Sequence, residues 1–386
     1  MRPRVRALLT VPLLVAALVA GGTAPAAAQQ PAATGYVPST GAVFNDPLGT
    51  AAQQNAIKDR IIATIDATAP GATIRSSMYA LTDQDYTDAL VAAHDRGVTV
   101  RVVLDAKYTS AAASQNLIAA LGDYPSPGSW VRVCMTGGAC IAHGGVNPIN
   151  HNKFFTFSSV GRVPYVVIQA SANQTALNVE KYFNNAYTIV RNRRLYDAYN
   201  RYFADLAAMV PNNDYFTTGR AGAERYWFLP EETGDVVVDI LDRVRCTGNH
   251  RRGTPGDHRS IVRVSAFALH RAEVADALTG LADAGCRVEV VYTDSNQVAN
   301  LTGHPGLTLR RLKNADGYLV HSKYFLIEGN YAGRPDRTLT FAGSANLDFS
   351  SLRENDETIL EIDGAAAHDA YRGNFDRLWQ VSTPTA

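Results

Sequence analysis

Apolar positions along this chain follow a pattern that occurs twice. Residues 74–81 (Ile-Arg-Ser-Ser-Met-Tyr-Ala-Leu) and 262–269 (Val-Arg-Val-Ser-Ala-Phe-Ala-Leu) both read as short strands ending in aromatic-Ala-Leu. A helical spacing follows each. Tyr86, Ala89, Leu90 and Ala93 fall at i, i+3, i+4 and i+7, and Val274, Ala277, Leu278 and Leu281 repeat the spacing. The helices meet Gly97 and Gly285, the residue type favoured just past a helix C-terminus. Stretches rich in β-branched residues come next, over 98–104 and 286–292. The offset between the copies is 188 residues throughout. Strand, helix and strand in this spacing predict a βαβ unit with parallel pairing.

A second pair of elements also repeats. Residues 153–157 (Lys-Phe-Phe-Thr-Phe) and 323–327 (Lys-Tyr-Phe-Leu-Ile) read as strands. Residues 163–169 and 338–342 read as the strands that return from them through hairpin turns. Here the offset is 170, so the first half holds about 18 extra residues ahead of its hairpin. That surplus contains Cys134, Cys140 and several glycines, which predicts a disulfide-pinned surface loop. Pro230, Gly248 and Pro255 mark 216–260 as the junction between the halves. The expectation is an α/β chain of two similar lobes, 44–215 and 225–383. A segment over 29–43 precedes them, 216–224 connects them, and a pseudo-two-fold axis relates them.

The N-terminus is of another kind. Arg2, Arg4 and Arg6 precede an apolar stretch over 8–20, which is short for a bilayer span. Ala26-Ala27-Ala28 then supplies a small-residue cleavage site. Residues 1–28 therefore read as a secretory signal peptide, and the mature protein is expected to be extracellular, probing membranes only from outside, with no transmembrane segment. Formal charge is zero over the 386 residues, and loss of the three arginines takes it to −3. Such a balance does not suggest a polyanion-binding surface. An exported chain meets an oxidising environment, so its four cysteines are expected in disulfides. Of the possible pairings, Cys134–Cys140 and Cys246–Cys286 are favoured. The cysteines lack the C-x2-C spacing of a zinc site, and no metal or other cofactor is expected.

The chemistry lies at the repeated strand starts. His151-Asn152-Lys153 is followed by Ala170-Ser171-Ala172-Asn173, and His321-Ser322-Lys323 by Gly343-Ser344-Ala345-Asn346. On a strand, His and Lys two residues apart share a face. Lys153 and Lys323 can grip a phosphate as point charges, and Asn173, Asn346, Ser171 and Ser344 can donate hydrogen bonds to its oxygens. Histidine suits the remaining roles of nucleophile and acid near neutral pH. The carboxylates differ between the halves. Glu328 lies five residues beyond Lys323, where the first half has Ser158, and Glu357 aligns with Tyr187 when the 170-residue offset is kept. A carboxylate partner favours imidazolium. His321 is therefore expected to be the general acid and His151 the neutral nucleophile. The other histidines, His368 among them, are expected at the surface.

These residues resemble the phospholipase D superfamily, with its H-x-K-x4-D motif and downstream G-S-x-N. The second half matches at His321, Lys323, Gly343, Ser344 and Asn346, with Glu328 for the usual Asp. The first matches at His151 and Lys153, with Ser158 for Asp and Ala170 for Gly. The resemblance implies a bilobed fold with an α/β/α sandwich in each lobe, a phosphohistidine intermediate and no metal. It gives Glu328 and Ser158 a structural, orienting place. It also makes Glu357 the acid that orients the motif histidine of its own half, without a counterpart in the first.

The function expected is that of a secreted phospholipase D acting as a monomer on a phospholipid at a membrane surface. It would cut the phosphatidyl–alcohol bond, as in phosphatidylcholine to phosphatidic acid and choline. One alternative is a secreted endonuclease of the same superfamily, whose partner would be nucleic acid. Another is a non-hydrolytic protein that binds phosphate ligands. An apolar rim on the cleft would favour the lipase, and a basic stripe the nuclease.

Overall fold

The computed structural model describes residues 35–135 and 137–385. The signal peptide expected over 1–28 lies outside them. The first half builds a seven-stranded sheet. Its strands are β1 (Gly41–Phe44), β2 (Thr73–Met78), β3 (Thr99–Leu104), β4 (Trp130–Val133), β5 (Lys153–Val160), β6 (Val163–Ala170) and, after the short β7 (Tyr182–Phe183), β8 (Asn185–Ile189). Their order is β1-β8-β6-β5-β2-β3-β4.

The second half adds β9 (Thr217–Ala221), β10 (Glu224–Leu229), β11 (Val244–Arg245), β12 (Ile261–Leu269), β13 (Arg287–Ser295) and β14 (Leu307–Arg311). Then come β15 (Leu319–Val320), β16 (Tyr324–Tyr331), β17 (Arg334–Gly343), β18 (Glu357–Asp363) and β19 (Thr383–Pro384). The order β14-β13-β12-β16-β17-β18-β10 reproduces the first sheet strand for strand. β9 lies within the segment expected only to connect the lobes, and it pairs with β10 at the edge of the second sheet.

The local reasons are those of the sequence pattern. β2–β3 and β12–β13 pair in parallel. The helices Gln84–Asp95 and Ala272–Asp283 make the crossovers, with Tyr86, Leu90 and Ala93, and Val274, Leu278 and Leu281, on their buried faces. β5 and β16 add antiparallel, so their lysine ends lie beside the C-terminal ends of β2 and β12. Ligands of α/β sheets bind at that edge.

Each sheet has helices on both faces. On the outer face of the first, Ile74, Val100, Phe155 and Ile168 pack with Ile61, Ile65 and Leu90. Its inner face and that of the second sheet share one apolar cluster. There Phe154 and Val167 meet the helix Arg193–Ala208 through Tyr199, Tyr202 and Leu206, and Tyr324 and Leu326 meet the helix Ala365–Val381 through Tyr371 and Phe375. Tyr202 stacks on Phe228 of β10 with ring centroids 4.2 Å apart. His368 is buried, contrary to expectation, because it lies on the inward face of its helix one residue from Ala367 and three from Tyr371.

Both disulfides form with the favoured pairing, Cys134–Cys140 and Cys246–Cys286. The first closes a loop that reaches the surface, as expected, with Met135, Gly137 and the following 143–147 exposed, but its base is drawn inward. Cys134, Ala139, Cys140, Ile141 and Ala142 are all buried, because a carboxylate of the second half holds the loop inward. Among the described residues no helix is long and apolar enough to cross a membrane.

The halves are also sewn together by polar bonds. β15 pairs in parallel with β7, joining Leu319 to Tyr182 and Val320 to Phe183. Buried Asn152 donates to Tyr202 Oη at 2.8 Å and to Asp356 O at 3.1 Å, and accepts from Thr358 Oγ1 at 2.8 Å. Truncating it would strand partners on both halves. Asn152→Ala is expected to destabilise the fold by about 2 kcal/mol or more, read as a lowered urea midpoint.

Candidate active site

Each motif histidine is held by the opposite half. His321 N–H and Ser322 N–H donate to Phe183 O at 2.9 and 2.8 Å, and His151 N–H donates to Asp356 O at 3.0 Å. The side chains cross in the same way. His151 Nδ1 lies 2.7 Å from Glu357 Oε1, and His321 Nδ1 lies 2.8 Å from Asn184 Oδ1. A carboxylate can only accept, so His151 Nδ1 carries the proton. Asn184 Nδ2 donates to the carbonyls of Asn178 and Tyr182 at 3.2 and 3.0 Å, which fixes its Oδ1 towards His321. Both rings therefore keep Nε2 as the nitrogen free for chemistry.

This geometry corrects the expected pairing. Glu357 orients His151 of the other half, not His321 of its own. The first-half counterpart of Glu357 is Asn184, not Tyr187. Thirteen residues separate Ser171 from Asn184 and Ser344 from Glu357. The second hairpin is three residues longer than the first, so the offset of 170 at the lysines becomes 173 at the serines. Counting from the serines rather than the lysines would have found Asn184.

The lysines complete the set. Lys153 Nζ donates to His151 O, and Lys323 Nζ donates to His321 O at 2.6 Å. They lie 5.2 Å from the Tyr79 ring and 5.1 Å from the Phe267 ring. Those aromatics are the equivalent residues of the repeated β2 and β12 segments, and each also packs edge-on against the histidine of its own half at 5.1 Å. The aromatic-Ala-Leu repeat was the sequence signal for them, although it was read only as a strand end.

Burial and mutual charge dominate the electrostatics. Burial pushes the Lys153 ammonium down to about 7, against the pull of Glu357 and Asp105. Burial and the Lys153 charge take Lys323 well below its ordinary value. Burial lowers both imidazoles. At His151 the Glu357 carboxylate opposes it; at His321 the charges of Lys323, Lys153 and His151 add to it. Burial raises the Glu357 carboxyl, but His151 and Lys153 more than reverse this and leave it below the usual range. The Lys153 charge acts on His151, His321 and Lys323 alike, so the groups of the two halves meet in one place.

Asn173 and Asn346 occupy equivalent places. Their backbone N–H groups are tied to Asn178 Oδ1 and Ser351 Oγ, both at 3.1 Å, while Oδ1 of each is buried without a hydrogen-bond partner among the described residues. The serines do not fit the expected contact with substrate. Ser171 Oγ donates to Asn184 Oδ1 at 3.0 Å, and Ser344 Oγ accepts from Thr358 N–H at 3.0 Å. Their own N–H groups donate to Asn185 O and Thr358 O. Both serines thus support the residues that hold the histidines. Glu328 and Ser158 lie away from the histidines. Glu328 pairs with Arg263 at 3.5 Å, and Ser158 Oγ accepts from Thr73 N–H at 2.9 Å. They tie down the far ends of the central strands.

A family described as "Cardiolipin synthase, PLD-like domain" matches residues 61–207 and 258–379, one segment in each half. The chain belongs to this family, within the phospholipase D superfamily. Two solved structures share the fold. Phosphatidylserine synthase from Haemophilus influenzae Rd KW20 is 16% identical, with a TM-score of 0.58 over 89% of this chain and 87% of that one. Polyphosphate kinase from Porphyromonas gingivalis is 15% identical, with a TM-score of 0.57 over 88% of this chain. The present chain spans 50% of that kinase's length. No curated protein matches the chain.

Anion binding should report the lysines. Below about pH 7 Lys153 is already protonated in the free protein. Above that pH an anion must draw in a proton to meet a full ammonium. Sulfate does not titrate in this range. Its affinity is expected to be level on the acid side and to fall above about pH 7 by up to about tenfold per pH unit, as measured by calorimetry.

Proposed function

We propose that this protein is a secreted phosphodiesterase that works through a phosphohistidine, with His151 as nucleophile and His321 as general acid. The observation carrying the proposal is the crossed pair of buried imidazoles, each anchored at Nδ1 with Nε2 free. His151 Nε2 attacks phosphorus, and the bond to the ester oxygen breaks on the opposite side. The imidazole becomes positive as the nitrogen–phosphorus bond forms, and the Glu357 carboxylate stabilises that charge, as an acid partner does in hydrolytic triads. Lys153, Lys323, Asn173 and Asn346 hold the non-bridging oxygens. His321 Nε2–H protonates the departing alkoxide. The neutral ring then takes a proton from water, the oxygen of which attacks phosphorus, and the electron pair returns to His151 Nε2.

The roles match those expected from sequence, but for a different reason. His321 has an amide partner instead of a carboxylate. Its imidazolium forms when the substrate anion supplies the countercharge, and it gives up its proton readily. His151 has the carboxylate because its positive state is the covalent intermediate.

A lipid substrate is favoured over nucleic acid by the margin of the cleft. A groove open to solvent is lined by Ala80, Tyr108, Ala176, Leu177 and Tyr182, with the polar Thr82, Asn173, Thr175 and Asn178 among them, and no charged side chain among the described residues lines it. Tyr182 stacks on His321 with ring centroids 5.6 Å apart. Leu177 is 52% exposed on the helix that follows Asn173, and Phe349 is 60% exposed on the equivalent helix that follows Asn346. A single-stranded polyanion is typically tracked by cations along its groove, whereas an uncharged wall carrying aromatic rings, with exposed apolar residues at its edge, suits a glyceride at a bilayer. The two disulfides accord with an extracellular site of action.

The deciding assay runs in chelator and compares choline release from phosphatidylcholine vesicles with nicking of plasmid DNA. Lipid turnover is expected, with loss of about 10²–10⁴-fold in His151→Ala and in His321→Ala, and a phosphorylated peptide containing His151. Nicking without lipid turnover would make the protein a nuclease. Leu177→Ser with Phe349→Ser is expected to lower vesicle turnover about tenfold, the effect of losing roughly 1–2 kcal/mol of apolar contact. Hydrolysis of soluble bis(4-nitrophenyl) phosphate should be unchanged in that variant.

A further inference from the structure

The carboxylate of Asp356 has no part in the reaction above, yet it is 0% exposed and fully engaged. Its Oδ2 accepts the N–H groups of Cys140 at 2.7 Å and Ile141 at 3.1 Å, and its Oδ1 accepts that of Ala142 at 2.8 Å. Successive backbone N–H groups turned on one carboxylate form an anion nest. The Cys134–Cys140 disulfide closes the loop that presents them. The backbone of Asp356 faces the other way. Its carbonyl accepts from His151 N–H at 3.0 Å and from Asn152 Nδ2 at 3.1 Å, and its N–H donates to Ile149 O at 3.1 Å. The next residue is Glu357, the partner of His151.

The pseudo-two-fold relation isolates what is special here. The counterpart of Asp356 is Phe183, whose carbonyl accepts from His321 N–H in the same manner. The backbone contact is therefore common to both halves. The carboxylate, the nest and the disulfide loop belong to the His151 side alone.

We propose that Asp356 and the Cys134–Cys140 loop form a latch that sets the His151–Glu357 pair, making the nucleophile competent only while the disulfide is closed. The proposal rests on the phosphohistidine reading. A dithiol would open the latch by reducing the disulfide to two thiols while becoming a disulfide itself. The loop is then no longer closed at Cys134, and its three N–H donors lose their register on Asp356. Asp356 is thus a positioning residue, acting on phosphorus only through His151 and Glu357. A chain still reduced before export would carry an unset nucleophile, which spares the cell a phosphodiesterase in its own compartment.

The test uses bis(4-nitrophenyl) phosphate, so that lipid docking has no part in it, and normalises rates to folded protein by circular dichroism. Asp356→Asn is expected to lower kcat between about 10-fold and about 100-fold, with KM little changed. The groups facing His151 are Glu357, Lys153, Lys323, His321 and Tyr79. Of these only Glu357 holds its imidazolium, so a loosened Glu357 moves the acid limb of kcat/KM to lower pH. Cys134→Ser with Cys140→Ser, which leaves the carboxylate in place, is expected to move both readouts in the same direction. Cys246→Ser with Cys286→Ser should leave them unmoved.

An unshifted acid limb with unchanged kcat per folded molecule would overturn the latch. If Asp356→Asn does not fold, the Cys134/Cys140 variant decides by the same criteria. An equal loss in the Cys246/Cys286 variant would also overturn it. Wild-type protein that turns over no diester and forms no phosphohistidine would instead refute the proposed reaction.

Discussion

One buried hydrogen bond, from His151 to Glu357, spans 206 residues of sequence and joins the two halves of the molecule. A carboxylate with no exposed surface is tolerable only when charges and donors surround it. At Oε1 Glu357 has His151 and Ser351 Oγ at 3.0 Å, while its buried Oε2 has no hydrogen-bond partner among the described residues and relies on the charges of His151 and Lys153. Separation of the halves would strip it of His151 and leave that imidazole without a fixed tautomer. The site is therefore a property of the packed pair of lobes. The energy that holds them together comes from elsewhere, chiefly the shared cluster of Tyr199, Tyr202, Phe228 and Tyr371. Burial of that apolar surface stabilises the arrangement in which the costly polar contacts become possible.

The near-symmetry of the fold makes its departures informative. Backbone roles repeat faithfully, with Phe183 O and Asp356 O each accepting from a motif histidine. The side chains at the same places do not repeat. Asn184 stands opposite Glu357, and Phe183 opposite Asp356. A repeated scaffold fixes where two imidazoles go, while unlike neighbours give them unlike protonation energies. Two equal histidines would compete for the same role. Unequal ones can divide attack from proton transfer.

Much of this was legible in the sequence because it rests on local periodicity and repetition. The βαβ units, the hairpins and the lysine-bearing strand starts followed from spacing alone, and the cysteine pairing agreed with the structure. What stayed hidden depended on contacts between distant segments. Glu357 was assigned to the histidine nearest it in sequence, since nothing along the chain reveals that the partners cross over. Asn184 was missed because a three-residue difference in hairpin length shifted the alignment. Ser171 and Ser344 were read as phosphate donors, whereas their hydrogen-bonding capacity goes to the groups behind the histidines. The loop closed by Cys134–Cys140 does reach the surface, as its composition implies, but the burial of 139–142 at its base was not legible. Only the Asp356 carboxylate, more than two hundred residues away, explains that burial.

The charge of the cleft gives the arrangement its direction. Glu357 and Asp105 pull on Lys153, and Glu357 and Asp348 on Lys323, yet burial outweighs them and depresses both ammoniums. A phosphodiester brings one negative charge to the place where these groups converge. Its arrival favours the protonated lysines and the His321 imidazolium together, because burial disfavours all three charges and Lys153 adds to the effect at Lys323 and His321. In the proposed reaction, substrate binding and arming of the general acid would thus be one electrostatic event. In the proposed attack the phosphorus centre would gain negative charge at its non-bridging oxygens, and the same lysines and amides would meet it. Their free energy is set aside in the fold, by the aromatic walls of Tyr79 and Phe267 that keep the cations dry and in place.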